Sequence, residues 1–241
     1  MRHYRAKVVI LAAIPLLILS LPAHATTSSA DLVAQFCSSK LIDRIKLREE
    51  LLKRGAGVAP QLVALLRSNR PEDMSCWEQA ADVLTEIGPQ GQPVMPDLLK
   101  LVKAKPTTAE DHARWPYVAV ALAGIGKGNA VVEDTFIEIL RTGDSSTKAF
   151  VAHLLGGMNV GRATEALASL LSDTSQQARE RAAFALRELG PKASAAVPAL
   201  IKAIERDRQA YLAKLSTEAL AAIGTPEAKE ALRRLEPGSK R

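Results

Sequence analysis

Gly124, Gly126, Lys127 and Gly128 stand within five consecutive residues, a composition that could cradle a phosphate. A P-loop also needs glycine five positions before its Gly-Lys pair and a hydroxyl after the lysine. Ala121 and Gly128 occupy those two positions. Metal chemistry finds no donors either. Beyond residue 25 the histidines are His112 and His153, far apart, and neither joins a cluster of cysteines or histidines. Asp144 to Lys148 reads DSSTK, polar enough to suggest an activated hydroxyl, but it opens an apolar periodic segment. Asp144 or a serine is therefore expected to cap a helix there. No Gly-x-Ser-x-Gly elbow exists. No residue is assigned to catalysis, a cofactor or a metal. Cys37 and Cys76 remain: an even pair in an oxidising compartment predicts a disulfide, against two buried free thiols.

The compartment follows from the first residues. Arg2, Arg5 and Lys7 precede an uncharged apolar run, Val8 to Leu21, and then Ala23-His24-Ala25. This is the pattern of a secretory signal cleaved after Ala25. A retained anchor would need about 20 apolar residues, and Pro15 interrupts the run. A periplasmic or secreted protein is expected, with no transmembrane span after cleavage. Residues 1–25 hold three basic and no acidic side chains, so the formal charge of +6 falls to +3. That excess makes no case for nucleic acid. Apolar residues make up 47% of the chain and aromatic ones only 4%, a mix that favours closely packed helices.

The elements that hold these residues repeat. LREELLKRG, AADVLTEIG, VAVALAGIG, VAHLLGGMN, AAFALRELG and STEALAAIG end at Gly55, Gly88, Gly126, Asn159, Gly190 and Gly224. Each carries leucine four positions before its end: Leu51, Leu84, Leu122, Leu155, Leu186 and Leu220. The ends lie 33, 38, 33, 31 and 34 positions apart, one period with one insertion. A second apolar-periodic segment follows each end, with Pro60, Pro96, Pro198 and Pro226 near four of the starts. Asp173 with Gln176 predicts a capping box, and Thr225 an N-cap. The insertion, KAKPTTAEDHARWPY, ends on Trp115-Pro116-Tyr117, where Pro116 suits a helix start. Trp115 and Tyr117 are then either a packed staple or exposed partner anchors. Gly126 is predicted to be a left-handed helix stop, with Lys127 favouring the negative end of the helix dipole.

ARERAAFALRELGPKASAAVPALIKAIERD, Ala178 to Asp207, resembles a HEAT repeat of the short bacterial type also found in phycobilin lyases. Arg181, Ala182, Ala185, Leu186, Leu189, Gly190, Val197, Pro198, Leu200 and Asp207 carry the likeness. It extends over residues 41–236 and is weakest in the first and fourth units, the latter ending on Asn159. The resemblance implies an all-α fold, a right-handed α-solenoid of about six antiparallel helix pairs with second helices on the concave face. Residues 26–40 form an N-terminal cap segment and 237–241 a basic tail. Iron-binding HEAT-repeat deoxyhypusine hydroxylases use paired His-Glu dipeptides, which this chain lacks. The expected function is an exported, non-enzymatic protein-binding scaffold or adaptor. Its alternatives are a lyase-like HEAT-repeat enzyme and a structural or assembly factor of the cell envelope. Late in the second helices stand Arg67, Lys100, Lys103, Arg141, Lys202, Arg206 and Arg233, a basic ridge that would attract an acidic protein or peptide. Glu138, Glu165, Glu205 and Glu236 interrupt it.

Overall fold

The computed structural model describes residues 27–206 and 211–235. The signal segment and the basic tail lie outside them. Every regular element among the described residues is helical. A cap helix, α1 (Ser29–Ser38), precedes six pairs. These are α2 (Leu41–Arg54) with α3 (Ala59–Arg67), α5 (Trp77–Ile87) with α6 (Met95–Lys103), and α7 (Ala109–Ile125) with α8 (Ala130–Thr142). Then come α9 (Ser145–Gly157) with α10 (Thr164–Leu170), α11 (Gln176–Leu189) with α12 (Val197–Arg206), and α13 (Tyr211–Ile223) with α14 (Pro226–Leu235). A single turn, α4 (Pro71–Met74), leads into α5. Neither helix of a pair could bury its apolar stripe alone; stacked pairs bury it jointly, and the result is an all-α solenoid.

The repeat leucines form the spine of the core. Leu51, Leu84, Leu122, Leu155, Leu186 and Leu220 are each 0% exposed. Leu62, Leu98, Phe136, Leu167 and Leu200 face them from the second helices, also fully buried. Four of the second helices open on proline, whose missing N–H costs nothing in a first turn. Thr225 caps α14 through the Ala228 N–H, 3.3 Å away.

Helix ends hold the corrections. Gly55, Gly88, Gly190 and Gly224 adopt φ of 53°, 57°, 52° and 63°, values that glycine reaches without strain. Asn159 takes the same role at φ 61°, so the fourth unit ends as the others do. Gly126 does not: its φ is −93°. A methyl group there would stand 2.5 Å from Val132 Cγ2, so glycine serves close packing of α8 on α7. The positive φ has moved to Gly128, at 79°. The α7 helix starts at Ala109, capped by Thr108 and Asp111 in a reciprocal box, and Pro116 lies inside it. Most of the inserted residues thus lengthen a helix rather than forming a loop. The expected Asp173–Gln176 box is also replaced. Ser175 caps α11, while Asp173 accepts from the Ser175 N–H at 2.9 Å and the Ser145 hydroxyl at 2.8 Å.

The first helices meet across three kinds of seam. Where α5 meets α7, a methyl on Gly124 would fall 2.5 Å from Thr85 Cα; where α9 meets α11, one on Gly156 would fall 2.9 Å from Ala185 Cα. Backbones touch there. Between α7 and α9, Trp115 and Phe150 pack edge to face with centroids 6.1 Å apart, and the two helices approach far less closely. At the N-terminal end, α1 lies on α2 and α3, burying Leu32, Val33 and Phe36. Cys37 and Cys76 are joined, with Cα atoms 5.4 Å apart, so the cap is tied to the second unit as expected. Closing 39 residues of chain is worth on the order of 4 kcal/mol in the chain-entropy account.

Candidate partner-binding edge

All second helices run the same way, so their C-terminal ends line one edge of the array. Arg67, Lys103 and Arg206 close α3, α6 and α12, and Lys100, Arg141, Lys202 and Arg233 stand in the later turns of α6, α8, α12 and α14. All seven are exposed. Three have partners. Arg67 pairs with Asp97 at 2.9 Å, Arg233 with Glu230 at 2.8 Å, and Arg206 donates to the Leu171 carbonyl at 3.1 Å. Lys100, Lys103, Arg141 and Lys202 make no ion pair among the described residues. α10 contributes no such cation, because its last turn reads Ala-Ser-Leu.

The N-termini of the first helices share that edge, and they bring acids. Asp111 accepts from the Thr107 N–H and hydroxyl, Asp144 from the Thr147 N–H, and Asp173 from the Ser175 N–H and the Ser145 hydroxyl. These donors hold all three carboxyl groups below the usual carboxylate range. Basic helix ends therefore alternate with ionised caps. Asp144 and Asp173 are legible in the sequence as cap candidates, but their place beside the basic helix ends follows only from the antiparallel stacking.

A cleft of about 240 Å³ opens on the edge between α8 and α10, lined by Arg141, Lys148, Glu165, Ser169 and Asp173. A larger groove, about 740 Å³, lies at the N-terminal end between α1 and α3. Val33, Cys37 and Leu65 form part of its wall, with Arg70, Glu72 and Asp73 at the rim. Asp73 accepts from Arg70 at 2.7 Å, which raises the guanidinium pKa further.

Trp115 and Tyr117 are half-buried and pack against the core. The Trp115 indole N–H donates to the Val102 carbonyl at 3.0 Å. Its neighbour Arg114 donates to the Arg67 carbonyl at 3.1 Å, bonds Asp111, and sits 5.9 Å over the Trp77 ring. His153 faces Phe184 on the first-helix side, away from the edge. The described residues hold no group of acids, histidines and cysteines that could bind a metal.

Stacked helix pairs with an exposed charged edge define a repeat scaffold of the α-solenoid class. The family model of HEAT repeats matches residues 133–211 and again 164–237. The N-terminal units share the architecture beyond the matched region. In sequence, no curated protein matches the chain. Among solved structures, an engineered protein from the Northeast Structural Genomics Consortium superposes with a TM-score of 0.51 at 19% identity, over 84% of this chain and 97% of its own. A second engineered protein gives 0.53 at 19% identity, over 85% of this chain and 60% of its own. A designed armadillo repeat protein in complex with a (KR)4 peptide gives 0.50 at 17% identity, over 80% of this chain and 98% of its own. At such identities the likeness is one of fold.

Proposed function

We propose that this chain is an exported, non-enzymatic scaffold that captures an acidic segment of a partner protein along its second-helix edge. Repeat scaffolds bind protein or peptide partners, and the designed armadillo protein holds a basic peptide on a related fold. The observation that carries the proposal is the set of exposed cations at the ends of α3, α6, α8, α12 and α14, four of them without an ion pair among the described residues. All but Lys202 stand in a last turn, where each complements its own helix dipole by about 0.3–1 kcal/mol. In addition, their stacking in register concentrates positive potential along the edge. Asp111, Asp144 and Asp173 divide that potential into patches, so a partner must match spacing as well as charge. The expected export signal supports binding in the periplasm or outside the cell.

The test is the triple variant K100E/K103E/K202E. Helicity and melting temperature should stay close to wild type, because the three side chains are exposed. Affinity for a fluorescent Asp/Glu-rich peptide should fall about tenfold at low salt, and wild-type binding should weaken steeply as salt rises. Undiminished binding by the variant would remove the site from this edge.

A further inference from the structure

The first helix of the first unit differs from its counterparts. α2 buries one face and leaves two isoleucines on another. Leu51 is fully buried and Leu47 and Leu52 pack partly against the core, whereas Ile42 is 74% exposed and Ile45 57%. Only two other large apolar side chains among the described residues are this exposed, Val131 and Tyr211, and they lie on separate helices. At 100° per residue, Ile42, Ile45, Lys46, Glu49 and Lys53 share one face, opposite Leu51. Lys40 precedes the helix as its N-cap residue.

Charge is concentrated in the same place. Lys40 to Arg54 carries six basic and three acidic side chains, a net +3, which equals the whole excess of residues 26–241. The arginines of this segment are engaged: Arg44 with the Ser39 carbonyl at 2.9 Å, Arg48 with Glu86 at 2.6 Å, and Arg54 with the Thr27 carbonyl at 2.7 Å. The lysines are not. Lys40, Lys46 and Lys53 are exposed and make no ion pair among the described residues. Glu49 is the one acid on the exposed face.

We propose that this face of α2 docks on an anionic lipid bilayer, with Ile42 and Ile45 entering the headgroup–acyl boundary and Lys40, Lys46 and Lys53 reaching lipid phosphates. The face lines neither of the clefts described above, and it carries no aromatic anchor of the kind that dominates protein interfaces. Two protruding isoleucines ringed by long flexible lysines fit a fluid, negatively charged interface instead. α2 would then hold the scaffold at a membrane surface while the second-helix edge stays free, so the proposal uses residues distinct from those of the binding edge.

The protein beginning at Thr26, which retains every described residue, is sedimented with phosphatidylcholine vesicles and with vesicles containing about 30% phosphatidylglycerol. The expected result is binding to the anionic vesicles alone, reversed by high salt. I42S/I45S and K46E/K53E should each lower partitioning about tenfold without changing the melting temperature. K100E/K103E/K202E should bind vesicles as wild type does. Failure of the wild-type protein to bind anionic vesicles overturns the proposal, as does binding that I42S/I45S leaves intact. A dimer in solution that I42S/I45S converts to monomer also overturns it, since a second copy would then cover the face.

Discussion

Two seams of the array, built on the same repeat, hold together in opposite ways. Between α9 and α11, Gly156 lets the backbones meet, with no room for a side chain before Ala185. Between α7 and α9, Trp115 and Phe150 stand edge to face and keep the helices apart. The glycine seam packs by main-chain proximity, which tolerates no added volume. The aromatic seam packs with two half-buried rings, each replaceable by a smaller group at the cost of a gap. In a solenoid, stability is the sum of unit terms and nearest-neighbour terms. The array therefore divides at its thinnest neighbour term, into residues 29–142 and 145–235.

The largest effect should come from filling a glycine seam. Gly156→Leu, or Gly124→Leu at the α5–α7 seam, should destabilise the protein by about 3 kcal/mol or more in urea denaturation. Gly157 is the control, with nothing within 4 Å of an added Cβ. Gly157→Ala should be stabilising by about 0.5–1 kcal/mol, since a helical glycine costs backbone entropy. Equal effects at 156 and 157 would show that the close approach is not what holds α9 to α11.

The aromatic seam should respond less and more gradually. Trp115→Ala should cost about 2–3 kcal/mol, below the range for a fully buried tryptophan because Trp115 is half-buried. Trp115→Phe keeps the ring edge on Phe150 and loses the bond to the Val102 carbonyl, for about 1 kcal/mol. Hydrogen exchange should show residues 29–142 and 145–235 opening separately in Trp115→Ala. A single cooperative opening would argue that the division at this seam is weaker than its packing implies.

The smallest effect should be that of acid. Asp144 caps α9, and Asp173 sits beneath the cap of α11, one on each side of the tight seam. Hydrogen bonds from Thr147 and from Ser175 lower their pKa values in the folded state. A carboxyl group depressed on folding stabilises above its unfolded pKa, and that contribution is lost as pH falls through the folded value. Melting temperature should therefore decline below pH 4 on this account. Asp144→Asn, whose amide oxygen can still cap, should flatten part of that decline while changing little at pH 7. An unchanged acid profile in the variant would shift the cause to other carboxylates.

Much of this was legible in the chain. The six leucines four positions before each unit end gave the core spine, and Pro60, Pro96, Pro198 and Pro226 marked second-helix starts. The Cys37–Cys76 pairing followed from there being two cysteines and an expected export signal. The helix stop at Gly126 was legible, since it is the C-cap of α7, but its conformation was not, because a glycine at a helix end reads as left-handed. Its actual constraint, Val132 Cγ2 against the missing side chain, belongs to another helix. Pro116 reads as a helix start because proline suits a first turn, yet α7 begins at Ala109 and carries it inside, between Trp115 and Tyr117, which pack against the core. The basic residues of the edge and the caps Asp144 and Asp173 were visible one by one, but not their juxtaposition, since they come from helices of opposite direction.

The chain by itself determined what depends on near neighbours along it: the helices, their caps, the buried stripe and the period. These follow from hydrogen bonds and side-chain entropy over one or two turns, which the local residues set. Tertiary structure decided the spacing of the seams, the shared edge of cations and capping carboxylates, and the uncovered isoleucines of α2. Each of those depends on which surfaces face one another across stacked units. Packing complementarity between residues about 30 positions apart, such as Gly156 and Ala185, settles that, and no local pattern encodes it.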